Sequence, residues 1–265
     1  MTKRVKRTTA YELHLTLNDE QFIRPPRDSQ RNWLLNRLMR ETGEELNHLD
    51  RVAPHFIAGS DVTIELDRAQ QQLNAEDIME DWQIPVMQAM AASVAHADAD
   101  VLEIGMGRGV AADFVQQRGP RSHTLVECND DIARQFPTWV AKYPGRDIRF
   151  LHAMWQDCQE HYQTYDGILF HTYPLTEEDF VDQVVNSATF AEHFFSTAAA
   201  LLRPGGAFTY LSSEIDSLSR AHQRALFAHF DTVSLTLLTD LDIPDDTRDA
   251  VWSREIVHVV ARKHA

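Results

Sequence analysis

Residues 101–115, VLEIGMGRGVAADFV, constrain this chain more than any other stretch. A short apolar run enters a turn with glycine at 105, 107 and 109 and leaves it as a helical pattern. Glycine lets the backbone take positive φ and lets a ligand approach with no Cβ in the way. The helix starting near Gly109 offers unpaired N–H groups at its N-terminus. A second apolar run follows and ends in an acid, Glu127. Strand, glycine turn, helix, strand and acid, in that order, build a nucleoside cleft at the top of a parallel sheet.

The spacing narrows the ligand. The dinucleotide fingerprint G-x-G-x-x-G would require glycine at 110, where Val110 stands, so a nicotinamide dehydrogenase is disfavoured. Glu103 brings a carboxylate two residues before the first glycine. It is poorly placed for a pyrophosphate and well placed for an ammonium group. Glu127 is where an acid accepts bonds from both ribose hydroxyls. Together these favour S-adenosylmethionine. Ala153 and Met154, just after the third apolar run, are expected to form a cofactor wall. Trp155 and Asp157 are placed to serve the adenine edge or simply to anchor the next helix.

The rest of the chain agrees on an α/β class. Strands are expected at 100–104, 123–127, 148–152, 166–170, 206–212, 231–238 and 255–262. Helical segments are expected at 109–118, 131–142, 155–163, 177–202 and 217–228. Such alternation means βαβ units: a class I, Rossmann-like, seven-stranded, mostly parallel sheet with helices on both faces. Asp77 to Ala95 reads as a helix interrupted near Pro85. Arg203-Pro204-Gly205-Gly206 reads as a turn, and the last two strands, joined by the acidic loop Asp240 to Asp249, as an antiparallel edge pair.

Residues 1–75 lack such motifs and read as an N-terminal helical extension, with 76–265 as the catalytic domain. Within the extension, 27–49 patterns as a helix with Trp33, Leu34, Leu38 and Met39 on one face, and 69–73 as part of another. The extension is expected to cover the site as a lid or to pair two copies as a homodimer. Lys3, Arg4, Lys6 and Arg7 read as a solvated tail.

A formal net charge of −15 argues against nucleic acid as a partner. No apolar run approaches the roughly 18 residues of a membrane span, and no secretory h-region is visible. Cys128 and Cys158, neither at zinc-ligand spacing, suit a reducing compartment, and a cytoplasmic location is expected. No metal site is expected. His161, His193, His222 and His229 read as solvated or structural.

Four segments resemble the guanidinoacetate N-methyltransferase family: MEDWQIPVM at 79–87, LEIGMGRGVAA at 102–112, VECND at 126–130 and YDGILFHTYPLTEE at 165–178. Their order and spacing match from about Ile78 onward. The resemblance implies cofactor contacts from Met79, Met87, Gly105, Met106, Gly107, Gly109, Val110, Glu127, Cys128, Asn129, Ala153 and Met154. It also implies a substrate-facing position at 171. The family carries a carboxylate at that position and a second one where Gln83 stands, and these two acids hold a guanidinium cation. Gln and a largely neutral His cannot replace that charge. Each lost charge-assisted bond is worth about 1.5–3 kcal/mol, so guanidinoacetate is not the expected substrate and protein arginine is disfavoured.

The expected activity is methyl transfer from S-adenosylmethionine to a small molecule, at N first and otherwise at O or S. His171 is the candidate general base or substrate-positioning residue, Tyr173 a candidate partner in catalysis, and Gln83 and Ser213 candidate substrate contacts. Ser212 and Glu214 end the same strand as Ser213. Glu177, Glu178 and Asp179 read as a favourable helix start. The alternative is a cofactor-binding, non-catalytic partner or regulatory subunit.

Overall fold

The computed structural model describes residues 78–174, 179, 183, 187–215, 217–243 and 255–264. The expected extension 1–75, with its helices at 27–49 and 69–73, lies outside the described residues. So do residues 244–249 of the acidic loop and positions 177 and 178.

Seven strands form one sheet: β1 (Asp100–Ile104), β2 (Ser122–Glu127), β3 (Ile148–His152), β4 (Tyr165–Phe170), β5 (Leu202–Ser212), β6 (Thr232–Leu238) and β7 (Ile256–Arg262). Their order is β3-β2-β1-β4-β5-β7-β6. β1 through β5 run parallel, while β7 runs antiparallel between β5 and β6. The chain builds outward from β1 to β3, then crosses back to lay β4 on the other side of β1. The strand order therefore reverses between β1 and β4, and in open α/β sheets ligands bind beyond the strand ends at that point.

Five α-helices are described: α1 (Ile84–Val94), α2 (Val110–Gln117), α3 (Asp130–Val140), α4 (Phe195–Leu201) and α5 (Arg220–Phe227). They cover both faces. On one, Leu102, Ile104, Ile168, Phe170, Phe208 and Tyr210 pack against Phe195 and Ala198 of α4 and Leu226 of α5. On the other, Val101, Leu169 and Ala207 pack against Val86, Met87 and Met90 of α1 and Ala111 and Val115 of α2. β1 is buried at every residue, which is why it reads as a continuous run instead of an alternating one.

Three expectations change in detail. Pro85 does not interrupt a helix. A 3₁₀ turn at Asp81–Gln83 precedes α1, and Pro85 sits in the first turn of α1, where its missing N–H costs nothing. The segment 203–206 is not a turn ahead of the strand, because β5 already begins at Leu202. Its register shifts between Tyr165 and Gly167, and the Gly205 N–H donates to the Lys263 carbonyl. Finally, 155–163 and the described end of 177–202 use 3₁₀ turns, at Trp155–His161 and Phe190–Phe194, the latter running into α4.

The edge opposite the ligand end is tied by ions. Arg121 Nε and Ser122 Oγ donate to Asp100, and Arg203 bridges Asp100 and Asp166. Arg121 first, and Arg203 with it, hold the Asp100 carboxyl well below the usual carboxylate range. Among the described residues, no helix is long and apolar enough to cross a membrane.

Candidate active site

The glycine turn has the shape its spacing implies. Gly105, Gly107 and Gly109 all have positive φ. A Cβ on Gly105 would lie 2.0 Å from the His171 carbonyl oxygen, so this glycine lets the end of β4 close against the end of β1. The same contact is held by the His171 N–H donating to the Ile104 carbonyl at 3.0 Å. Gly109 caps α2 in the left-handed region, and a Cβ there would meet Trp139 Nε1 at 2.7 Å. Trp139 is fixed in turn by its Nε1–H donating to Asp113.

Glu127, at the end of β2, accepts from the Gly107 N–H and the Asn129 N–H, both at 2.9 Å. Two oxygens offer about four acceptor positions, so these two bonds leave capacity to spare. Asn129 is the N-cap of α3, its Oδ1 accepting from the N–H groups of Asp131 and Ile132. Glu103 is fully buried, with Oε2 3.1 Å from His123 Nε2 and Oε1 without a hydrogen-bond partner. Burial raises its pKa above the usual carboxylate value.

Beyond these strand ends opens a cleft. Ile104, Gly105, Val126, Glu127 and Cys128 form one wall, and Ala153, Met154, Trp155 and Gln156 a second. Thr172, Tyr173 and Pro174, with Asp179, Gln183, Phe190 and His193, form a third. Burial, with Glu127 beside it, pushes the Cys128 thiol up to about 12, so it remains a neutral wall.

Of the residues singled out from sequence, Gly105, Glu127, Cys128, Ala153, Met154 and Tyr173 line this cleft. His171 is half-buried just before the third wall, its ring 5.7 Å from that of Tyr173. Burial brings the His171 ring down to about 4. Met106 is buried with Trp139, and Val110 packs beside the α1 core, as do the buried Met79 and Met87. None of these four lines the cleft. Arg108 nonetheless ties their segment to the turn, donating to the Met79 carbonyl and to Asp81.

Gln83 follows in that segment, buried, with Oε1 lacking a hydrogen-bond partner. Ser213 is buried off the cleft wall with an unpartnered Oγ. Glu214 is taken up in a buried network, accepting from the Ser219 N–H and facing His222 Nδ1 at 2.8 Å. His222 is therefore structural, as the sequence suggested.

Sequence reasoning missed much of the third wall. His193 was expected to be solvated or structural, yet it lines the cleft with its ring against Phe190 and Trp155. Phe190 and His193 lie three apart on one helical turn, and that spacing was the available signal. Asp179 lines the cleft too.

The fold has structural parallels at low identity. Spermidine synthase in complex with the transition-state analogue AdoDATO aligns with a TM-score of 0.50 and 15% identity, covering 69% of this chain and 61% of that one. TrmN from Thermus thermophilus aligns with a TM-score of 0.50 and 18% identity, over 68% and 48%. In sequence, the chain is 25% identical over 150 residues to protein arginine N-methyltransferase 2 of Candida glabrata. It is 27% identical over 149 residues to the protein of that name from Yarrowia lipolytica. Each match covers 52% of this chain but only 33% and 28% of the relative, so the chain spans about a third of their length. The family model described as guanidinoacetate N-methyltransferase matches residues 57–241, well over half of the chain. The glycine turn, the acid after β2 and the switch-point cleft thus sit inside a matched family domain: the chain belongs to the guanidinoacetate N-methyltransferase family.

Proposed function

We propose that the chain methylates a small molecule whose acceptor group is not a guanidinium. One observation carries this reading: the two positions the family resemblance assigns to guanidinium-binding acids hold the uncharged Gln83 and a His171 whose ring burial keeps neutral. A cation at those two positions would surrender its hydration without gaining a carboxylate from either side chain. The argument applies equally to a protein arginine, the acceptor in the names of the curated relatives.

The residues suit the methyl donor. Bare glycine backbone at 105 and 107, spare acceptor capacity on Glu127 and the unpaired Glu103 Oε1 match a nucleoside that carries a cationic amino-acid end. Glu127 would hold the ribose hydroxyls, Cys128, Ala153 and Met154 the nucleoside, and Glu103 the ammonium. Met106, Gly109, Val110 and Asn129 act by shaping the turn and capping α3, and Met79 and Met87 by packing the segment that Arg108 ties to it. When bound, the donor supplies a methyl group already activated by its positive sulfur.

His171 acts as a neutral imidazole. At neutral pH it has little appetite for a proton, which favours positioning the acceptor by hydrogen bond over strong base catalysis. It does not favour holding an anion, because the imidazolium is scarce at that pH. Tyr173, on the cleft wall beside it, would complete the acceptor side, with Gln83 and Ser213 offering uncharged hydrogen bonds.

The test is mass detection of a methylated product from a panel of cell metabolites, with guanidinoacetate and an arginine peptide as comparators. A product from a non-guanidinium metabolite, lost in His171→Ala while donor binding persists, is the expected result. Methylation of the arginine peptide alone would instead favour the acceptor named for the curated relatives.

A further inference from the structure

A buried histidine stands behind the glycine turn. His123 on β2 has no exposed surface and engages both ring nitrogens. Nδ1 lies 3.1 Å from Gln116 Nε2 on α2, and Nε2 lies 3.1 Å from Glu103 Oε2 on β1. An amide nitrogen only donates, so Nδ1 accepts, and a neutral ring must carry its proton on Nε2. Nε2–H then donates to Glu103. The chain from Gln116 through His123 to Glu103 has one direction, and it ends at an enclosed Oε1 with no hydrogen-bond partner. Fixing the far oxygen of a carboxyl through a histidine whose tautomer is itself fixed is how outer groups orient a ligand-binding side chain.

We propose that His123, with its tautomer set by Gln116, is a positioning residue for S-adenosylmethionine: it locks Glu103 so that Oε1 accepts the ammonium group. The inference rests on the reading of Glu103 as the partner of the cofactor's amino-acid end.

The electrostatics have the matching sign. Burial disfavours the Glu103 carboxylate, the hydrogen bond from His123 opposes this, and the nearby charges of Glu127 and Asp113 add to it. An ammonium group arriving at Oε1 favours the carboxylate. The pKa is therefore higher in the free protein than in the complex. Between the two values binding releases a proton, and affinity rises with pH.

Isothermal calorimetry on the full chain tests this with two probes: S-adenosylmethionine, and 5′-methylthioadenosine, which lacks the amino-acid end. Across a pH series the unmodified protein is expected to gain affinity with rising pH more for the first probe than for the second. Glu103→Gln and His123→Phe should each weaken S-adenosylmethionine about tenfold or more and leave methylthioadenosine within about twofold. His123→Gln keeps an N–H toward Glu103 and should restore most of the affinity. If Glu103→Gln weakens the cofactor but His123→Phe does not, the positioning role is overturned while the reading of Glu103 stands. If Glu103→Gln changes nothing, both fall. Equal weakening of the two probes in both His123→Gln and His123→Phe overturns the proposal.

Discussion

The two sides of the cleft are built differently. On the β1–β2 side, the acids and the cap are anchored on backbone or buried partners, with Glu103 Oε1 left open. Glu127 spans the Gly107 and Asn129 N–H groups, Asn129 caps α3, and the Gly105 backbone is in close contact with the His171 carbonyl. The third wall, which we read as the acceptor side, is mostly uncharged or aromatic among the described residues, with Tyr173, Phe190 and His193 on it and Asp179 the exception, while Gln83 and neutral His171 stand off the wall. On the proposed reading, the first side serves the methyl donor and the other lacks the two carboxylates that the family resemblance implies at positions 83 and 171.

That contrast predicts unequal tolerance. Gly105→Ala should be the most damaging single change, because its Cβ would overlap the His171 carbonyl at a positive φ. We expect a loss of about 3 kcal/mol or more, read by chemical denaturation, with donor binding abolished. Glu127→Ala strands two N–H groups and should weaken S-adenosylmethionine about a hundredfold by calorimetry, with a smaller change in stability. On the other side, His171→Asn should lower turnover about tenfold or more while donor affinity stays within about threefold. Equal losses in both quantities would erase the distinction between the two sides.

A gain of function sharpens it further. Gln83→Glu combined with His171→Asp should raise guanidinoacetate affinity about tenfold, measured by calorimetry with the donor present. No gain would mean that these positions do not face the acceptor.

The smallest effect is on stability against pH. The rings of His171 and His258 are both pulled down to about 4 by burial, from an unfolded value near 6.5. The folded state therefore binds fewer protons than the unfolded one between those values. Their contribution is complete above roughly pH 6.5 and is lost as pH falls toward 4. Denaturant midpoints should decline across that window, and less so in His258→Gln.

The same contrast explains what could be read in advance. The glycine turn, the acid after β2 and all seven strands follow from local chemistry: positive φ, apolar runs and their spacing. β1 is legible because it is covered on both faces. Gln83 and His171 are legible as departures from a motif. The third wall is not, because Asp179, Phe190 and His193 converge with Trp155 only through the crossover from β4 to β5. Pro85 misled for a simpler reason: proline marks a helix start as readily as a break, and only the preceding 3₁₀ turn decides between them. Ser213 and Glu214 were read from their strand end alone, and the network with His222 depends on α5 folding back.

The most direct test is a competition. The protein is given S-adenosylmethionine with guanidinoacetate and its best metabolite acceptor in one reaction, and the two products are counted by mass. The neutral acceptor side predicts a kcat/KM for guanidinoacetate at least about a hundredfold below that of the metabolite. Comparable methylation of guanidinoacetate would contradict it, and would mean that this fold holds a guanidinium without the two carboxylates.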